Sequence, residues 1–334
     1  MITVFLDRLS KIDINAVPLE DDLRRELSKY LRDAEYHLEC LGAGVDRLLA
    51  ESKKSLSDMV FVDFWSADGI AGLYAKKVGF GKVVSVFENV ESLKIAKIVS
   101  QAMAVAPDVV LQGDALHFNH WCKESGVRPD ILTARNVIDR VYVLDEFFAA
   151  MHEVSPEMCM WLTTEANPYN PKRLRRLHRQ QLSAEKVYRA QRRDYIAGLH
   201  PDMNDRLLDY WSQNTRGLSK VDIERAVESQ SPNLLLDPYN TCHPETGMWV
   251  FRLMTVDDYL QLLLSYGYKL TVLPGRCNTH LRGLRGFYSR RNNIKIDKYI
   301  SCFEDYIHPR KQRRKLHKAL KHAPFMQLFI CGVR

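Results

Sequence analysis

Apolar and polar residues alternate along this chain in two rhythms. From Leu19 to about Ala50, the residues Leu23, Leu27, Tyr30, Leu31, Ala34, Leu38, Leu41, Val45 and Leu48 recur at steps of three and four. That spacing predicts an amphipathic helical region, and the "LGAG" at 41–44 predicts a break dividing it in two. Short apolar runs then alternate with helical patterns. "MVFVDF", "KVVSVFE", "DVVLQGD", "DILTARN" and "EMCMWLTTE" read as strands, with "AGLYAKKVG", "VESLKIAKIVSQAMA" and "VYVLDEFFAAMHEV" as helices among them. Near-continuously apolar strands separated by helices predict a mostly parallel sheet covered on both faces, a doubly wound α/β layer. A helical segment from Pro171 to about Val227 interrupts the alternation. "WVFRLM", the helix "TVDDYLQLLLSYG" and the strand "YKLTVLPG" resume it, and "FMQLFICGV" supplies a last strand.

Composition narrows the class. With 334 residues, 46% hydrophobic and 27% charged, the chain has the make-up of a soluble globular protein with a sizeable core. No apolar run approaches the roughly 18 residues of a membrane helix. The opening "MITVFLDRLSKIDINAV" lacks the apolar stretch of a signal peptide. Seven scattered cysteines without a CxxC pair suit reduced thiols rather than disulfides or a metal site. The expectation is a cytoplasmic protein with no metal and no membrane partner. The net charge of +7 concentrates in "PKRLRRLHRQQ" and from "LRGLRGFYSRRNNIK" to "HPRKQRRKLHKALKH". Such clusters are solvated helix faces or polyanion contacts.

In open α/β sheets ligands lie beyond the carboxyl ends of the strands. Asp63 and the Ser66–Gly69 loop follow the first strand, Glu88 and Asn89 the second, Asp114 and Ala115 the third, and Asn136 the fourth. A carboxylate ending the second strand can accept both hydroxyl protons of a ribose. Asp114 with the Ala115 amide offers an adenine edge its acceptor and donor. The first loop must let backbone approach a ligand closely, hence its small residues.

At these residues the chain resembles the class I S-adenosylmethionine-dependent methyltransferases of the bacterial small-molecule type, over roughly 60–165 and again 250–333. The resemblance implies a Rossmann-like sheet of seven strands, the last antiparallel, with S-adenosylmethionine as cofactor and S-adenosylhomocysteine as product. It places the family's first motif on "VDFWSADGIAG", with Asp63, Trp65, Ser66, Ala67, Asp68 and Gly69 at the cofactor. It makes Glu88 the ribose acid and Asp114 the adenine-side acid. "ARNVIDRVYVLDEFFAAM" is similar to the fourth-strand motif and its helix; "TRGLS", "YNTCHPETGMW" and "SYGYKLTVLPG" match more weakly. Trp65 and Ala67 depart from the motif's glycines, and Arg140 stands where many relatives carry histidine. The "SADG" turn still offers amides and the Asp68 carboxylate to the amino-acid end of the cofactor. NAD would also suit a βαβ unit with an acid ending its second strand, but the GxGxxG that makes room for a pyrophosphate is missing.

The pattern divides the chain into an N-terminal helical region (1–56), a cofactor-binding core (57–169), a helical insert (170–247) and a completion of the core sheet (248–334). An insert leaving the sheet beside the cofactor loops is expected to act as a substrate lid. Its approach offers Glu165, Asn167, Tyr169 and Asn170, and its return Tyr239, Asn240, His243, Glu245 and Trp249. With Arg140 these supply the expected substrate contacts. His243 is the candidate general base, since histidine titrates near neutrality, with Asp139 and Glu165 as alternatives. Methyl transfer does not require one. The expected acceptor is an O, N or C atom of a small metabolite or natural-product intermediate, free or tethered to an acidic carrier protein docked on the basic clusters. Two other functions compete. An RNA methyltransferase would draw on the basic segments, although no RNA-binding module accompanies them. An inactive scaffold subunit is suggested by Trp65 and Arg140. The N-terminal helices serve as core, as a homodimer contact, or as a cover over the cofactor.

Overall fold

The computed structural model describes residues 2–50, 52, 54–232, 239–300 and 309–332. Asp237 and Pro238 of the expected loop, His308 of the basic stretch and Val333 of the expected last strand lie outside the described residues. Two helices open the chain, α1 (Ile2–Ser10) and α2 (Asp21–Leu49). Then follow β1 (Val60–Phe64), α3 (Ile70–Val78), β2 (Lys82–Phe87), α4 (Val90–Met103), β3 (Val109–Gln112) and α5 (Ala115–Ser125). β4 (Ile131–Arg135), α6 (Leu144–Val154) and β5 (Cys159–Thr164) complete the alternating part. The insert is α7 (Pro171–Leu199), α8 (Asp205–Asn214) and α9 (Lys220–Glu228). The chain closes with α10 (Val256–Leu264), β6 (Tyr268–Pro274), α11 (Gly283–Ile300), α12 (Pro309–Leu320) and β7 (Met326–Gly332).

The strands form one sheet in the order β3-β2-β1-β4-β5-β7-β6. β1 to β5 pair parallel, and β7 runs antiparallel to both β5 and β6. This is the seven-stranded doubly wound fold the sequence predicts. Both faces are covered because the central strands are apolar on both sides: Val62, Phe64, Val84 and Leu132 pack on one, Phe61, Val83 and Ile131 on the other. The strand order reverses between β1 and β4, so the crevice above their carboxyl ends is where a ligand belongs.

Three expectations need correction. The helix at 21–49 is unbroken. Gly44 serves packing: a Cβ there would lie 2.6 Å from the Trp161 ring, so glycine lets α2 lie directly on β5. The expected strand "WVFRLM" does not form. Trp249 instead makes an isolated antiparallel bridge with Cys242, and the segment tethers to the loop after β4, through Trp249 N to Arg140 O (3.0 Å) and Arg252 N to Asp139 O (2.7 Å). The expected helix at 141–154 starts at Leu144. By contrast, the apolar positions of α2, including Leu27, Leu38, Leu41 and Leu48, are buried within this chain.

Candidate active site

The turn after β1 explains its own residues. Gly69 has φ 69°, and a Cβ there would stand 2.9 Å from that of Ala96, so glycine is required by both conformation and space. Trp65 is also left-handed, with φ 50°, an uncommon state for a bulky residue. Its ring is fixed by two contacts. It stacks on Phe64 with centroids 5.5 Å apart, and its Nε1 donates to Gly113 O at 2.8 Å, across to the end of β3. Ser66 Oγ accepts from the Gly69 amide at 2.9 Å, and Ala67 is half-buried. Asp63 lies within β1 and takes the Gly72 amide at 3.0 Å. Burial and the neighbouring Asp68 push its carboxyl up to about 7.

The Trp65 ring is a wall and leaves the site open. Beside it lies a cavity of about 310 Å³, lined by Glu88, Asp114, Ala115, Arg140, Tyr142 and Met248 among others. Its size falls within the range of ligand pockets, roughly 300–1,000 Å³. Glu88, at the end of β2, is half-buried and has no hydrogen bond or ion pair with any described residue. Burial raises its carboxyl, and the charge of Arg140 opposes the rise. Asp114 caps α5, accepting from His117 N at 2.8 Å, and Asn89 caps α4, accepting from Ser92 N at 2.9 Å. Each carboxylate or amide therefore stands at a helix N-terminus beside the cavity mouth.

A second, narrower cavity of about 50 Å³ opens on the other side of Trp65, between the first turn and α2. Asp68 and Arg135 meet there at 2.8 Å. Asp68 also accepts from Ile70 N at 3.0 Å. Tyr30 and His37 of α2 and Thr133 of β4 complete the polar lining. Burial and the nearby Arg135 charge lower His37 to about 4, so the imidazole is neutral at pH 7. Burial, with Glu26 adding to it, raises Tyr30 to about 12.

The residues around the insert are placed differently. Asn136 is left-handed with φ 57°; its amide donates to Thr163 O (3.0 Å) and its Oδ1 accepts from Thr163 Oγ1 (3.3 Å). The Asp139 carboxyl is buried near Thr164 and Ala166 without a hydrogen bond of ordinary geometry, because the Ala166 amide is given to Thr164 Oγ1. Burial raises it, against the Arg140 charge. Glu165 is ion-paired with Arg173. Asn167 is fully buried and donates to Leu320 O and Ala323 O, 2.9 and 3.0 Å. Tyr169 accepts from Val256 N at 3.0 Å, and Asn170 caps α7. Tyr239 stacks on His178, and Asn240 accepts from Gln181 at 2.9 Å. His243 sits in a turn, its Nδ1 accepting from Glu245 N at 3.2 Å and its ring edge against Tyr188. Glu245 pairs with Lys220, and Trp249 donates to Tyr142 O at 3.1 Å. Arg313, expected to be open to a carrier protein, is paired with Asp257.

The structure thus gathers Trp65, Glu88, Asp114, Ala115 and Arg140 around one cavity, and Asp63, Ser66, Ala67 and Asp68 around the other. His243, Asn167, Tyr169, Tyr239 and Asn240 line neither. Tyr30, His37 and Arg135 were not singled out from sequence. His37 had a signal, since it lies three residues after Ala34 and four before Leu41, on the buried face of α2.

No family model and no curated protein matches the sequence. Distant likenesses are found among solved structures. The geranyl diphosphate C-methyltransferase of Streptomyces coelicolor A3(2), solved with S-adenosylhomocysteine, is 9% identical over 97% of this chain and 90% of its own, with TM-score 0.42. Phosphoethanolamine N-methyltransferase 2 of Haemonchus contortus, with S-adenosylmethionine, is 12% identical over 87% of this chain and 52% of its own, TM-score 0.39. SMU.776, a candidate methyltransferase solved with SAH, is 11% identical over 40% of this chain and 37% of its own, TM-score 0.31. The chain therefore spans about half or less of the length of the last two. Likeness this distant says nothing of chemistry, which is read from the chain's own residues.

Proposed function

We propose that this chain is an S-adenosylmethionine-dependent methyltransferase acting on a small-molecule acceptor. One observation carries the reading: the half-buried Glu88 carboxylate lines a ligand-sized cavity with no donor to it among the described residues. Its free acceptor capacity would be taken up by two ribose hydroxyls. Asp114 and the Ala115 amide stand on the same wall for an adenine edge. The cofactor, when bound, contributes an electrophilic methyl group on a sulfonium.

The remaining work falls to residues of this chain. Arg135 and Asp68, already paired, present a cation and an anion that match the carboxylate and ammonium of an amino-acid tail. The α2 cavity shares Trp65 with the nucleoside cavity, so an acceptor beneath α2 would lie within reach of both. His37 is held neutral there; the burial and the Arg135 charge that keep it so also oppose its protonation, so its role is to accept a hydrogen bond from an O–H or N–H acceptor and orient it. Tyr30 keeps its proton and can donate a hydrogen bond. Positioning provides the larger share of the rate. The insert covers this edge through Ser219 N and Asp222, which hold the Tyr142 hydroxyl at 3.0 and 2.5 Å.

Titration of the protein with S-adenosylmethionine and S-adenosylhomocysteine by calorimetry tests the reading, beside Glu88→Ala. Saturable binding that the variant loses supports it. No binding by the folded protein overturns it and leaves a scaffold role.

A further inference from the structure

The positive charge is densest towards the end of the chain. Residues 276–322 hold fourteen Lys and Arg against three Asp and Glu, a net of +11 where the whole chain carries +7. The remainder is acidic, at −4. α11 lies in the basic part, and its outer face is not the usual solvated one. Leu284, Phe287, Tyr288 and Ile294 are 76%, 53%, 55% and 69% exposed. At helical spacing they form a single crest with Arg291 and Lys295, flanked by Arg285 on one side and Arg290 on the other. Exposed apolar crests of this size mark interaction sites.

The crest is held outward. Gly286, Asn293 and Ile296 occupy the opposite, buried face. Asn293 clasps the chain after β6, accepting from Cys277 N at 2.7 Å and donating to Cys277 O at 3.0 Å. At Gly286 the helix passes so close to Leu281 O that a Cβ would lie 1.8 Å from it. Turning the apolar residues inward would break both contacts.

Charge and shape choose the occupant. A second copy of the crest would bring like charge against like. A nucleic-acid strand is held in a groove with aromatic platforms, whereas this surface is convex and half its large apolar groups are aliphatic. A crest that mixes Leu284, Phe287, Tyr288 and Ile294 with Arg291 and Lys295, and has Arg285 and Arg290 on its flanks, matches an anionic bilayer surface: the apolar side chains enter the acyl boundary while the long basic side chains reach the headgroup phosphates. We infer that α11 is a docking face for anionic lipid surfaces. β6 is parallel to β5, since both oppose β7, so α11 departs from the edge that carries the candidate site. Tyr36, adjacent to the cavity-lining His37, donates to Arg276 O at 2.5 Å. Docking would bring the rim of that site close to the bilayer.

The test is co-sedimentation of the full chain with vesicles of phosphatidylcholine alone and with roughly a third phosphatidylglycerol. Binding to the anionic vesicles should be about tenfold or more the stronger and should weaken with salt. A Phe287→Ser, Ile294→Ser double variant keeps every basic residue and should lose about tenfold of it. Both residues face solvent, and unfolding followed by circular dichroism checks the fold. Tyr288→Trp should shift its emission to the blue on anionic vesicles. The inference falls if no vesicles are bound, or if the double variant binds as the parent does, which would be charge adsorption alone. It also falls if single-stranded RNA is retained instead, or if the chain is a dimer that the double variant makes monomeric. Cofactor calorimetry on the same variant should be unchanged, so a failure here leaves the methyl-transfer reading untouched.

Discussion

Two groups of polar residues stand at the carboxyl edge of the sheet, and they differ in what holds them. Those following β2 and β3 keep side-chain capacity in reserve, while Ser66 and Asp68 after β1 are bonded to Gly69 and Arg135. Among the described residues Glu88 has no hydrogen bond or ion pair, and Asp114 accepts its helix-capping bond while lining the open cavity. Those around the insert are already committed: Asn167 and Asn170 pin the end of α12, Tyr169 holds the first amide of α10, and Asn240 holds Gln181. The first group leaves polar atoms at a cavity open. The second ties the loop before the insert to α10 and to the end of α12. Loops dense in Asn, Tyr and Glu serve both purposes, and only the count of satisfied donors and acceptors separates them.

The largest expected effect tests a residue that crosses this division. Asp63 belongs to the first turn yet is sealed against the Gly72 amide. Its carboxyl titrates near 7 when folded against an ordinary 3.8, so the folded state holds the extra proton between those values. The stabilisation is complete below about pH 4 and is lost as pH rises to about 7, at about 1.4 kcal/mol for each pH unit crossed. Asp63→Asn keeps an acceptor for Gly72 and removes this loss. Urea unfolding from pH 4 to pH 8 should show the variant gaining a few kcal/mol on the parent above pH 7 and nothing at pH 4. A parallel pair of curves would return Asp63 to the exposed, ligand-facing group.

A contrast between Glu88→Ala and Asn167→Ala sharpens the division. Glu88→Ala removes two charge-assisted bonds to a ligand, about 3 kcal/mol or near a hundredfold in cofactor affinity, with thermal stability nearly unchanged. Asn167→Ala should do the reverse. Two buried carbonyls lose their donor at a cost of about 2 kcal/mol in unfolding free energy, while the affinity of whatever folds stays put. Calorimetry and thermal melts on both variants check the crossing. If both lose affinity together, the second group belongs to the site as well.

What could be read in advance follows the same line. The strands were legible because central positions of a two-sided sheet admit mostly apolar residues, and the placing of Glu88 and Asp114 on one cavity because both follow strand ends at the same edge. Gly44 of α2 was not legible as packing, since its reason is the Trp161 ring, more than a hundred residues away in sequence. "WVFRLM" carries a strand's apolarity, but its backbone bonds go to Cys242, Thr241 and the loop after β4. Arg135 and His37 meet only because α2 crosses the end of β4. The committed Asn and Tyr residues use the same chemistry as a binding loop, and sequence does not show which bonds are already made.

Trp65 offers the finest test of the first group. Left-handed backbone costs a bulky residue about 1–2 kcal/mol, and a glycine there would recover it. The same change forfeits the Nε1 bond to Gly113 and the stack on Phe64, so the net effect of Trp65→Gly on stability should stay within about 1 kcal/mol. Cofactor affinity then reports the ring's role undisturbed by folding. As a wall of the cavity the ring contributes contact area, and its loss should weaken binding by roughly threefold to tenfold. Tighter binding would mean that the ring intrudes on the nucleoside, and that the glycine of the family's motif is the fitter residue. Either result is read by the same calorimetry, and the Nε1 bond to Gly113 O makes the first the expected one: a ring tied to the residue before Asp114 is held at the cavity wall.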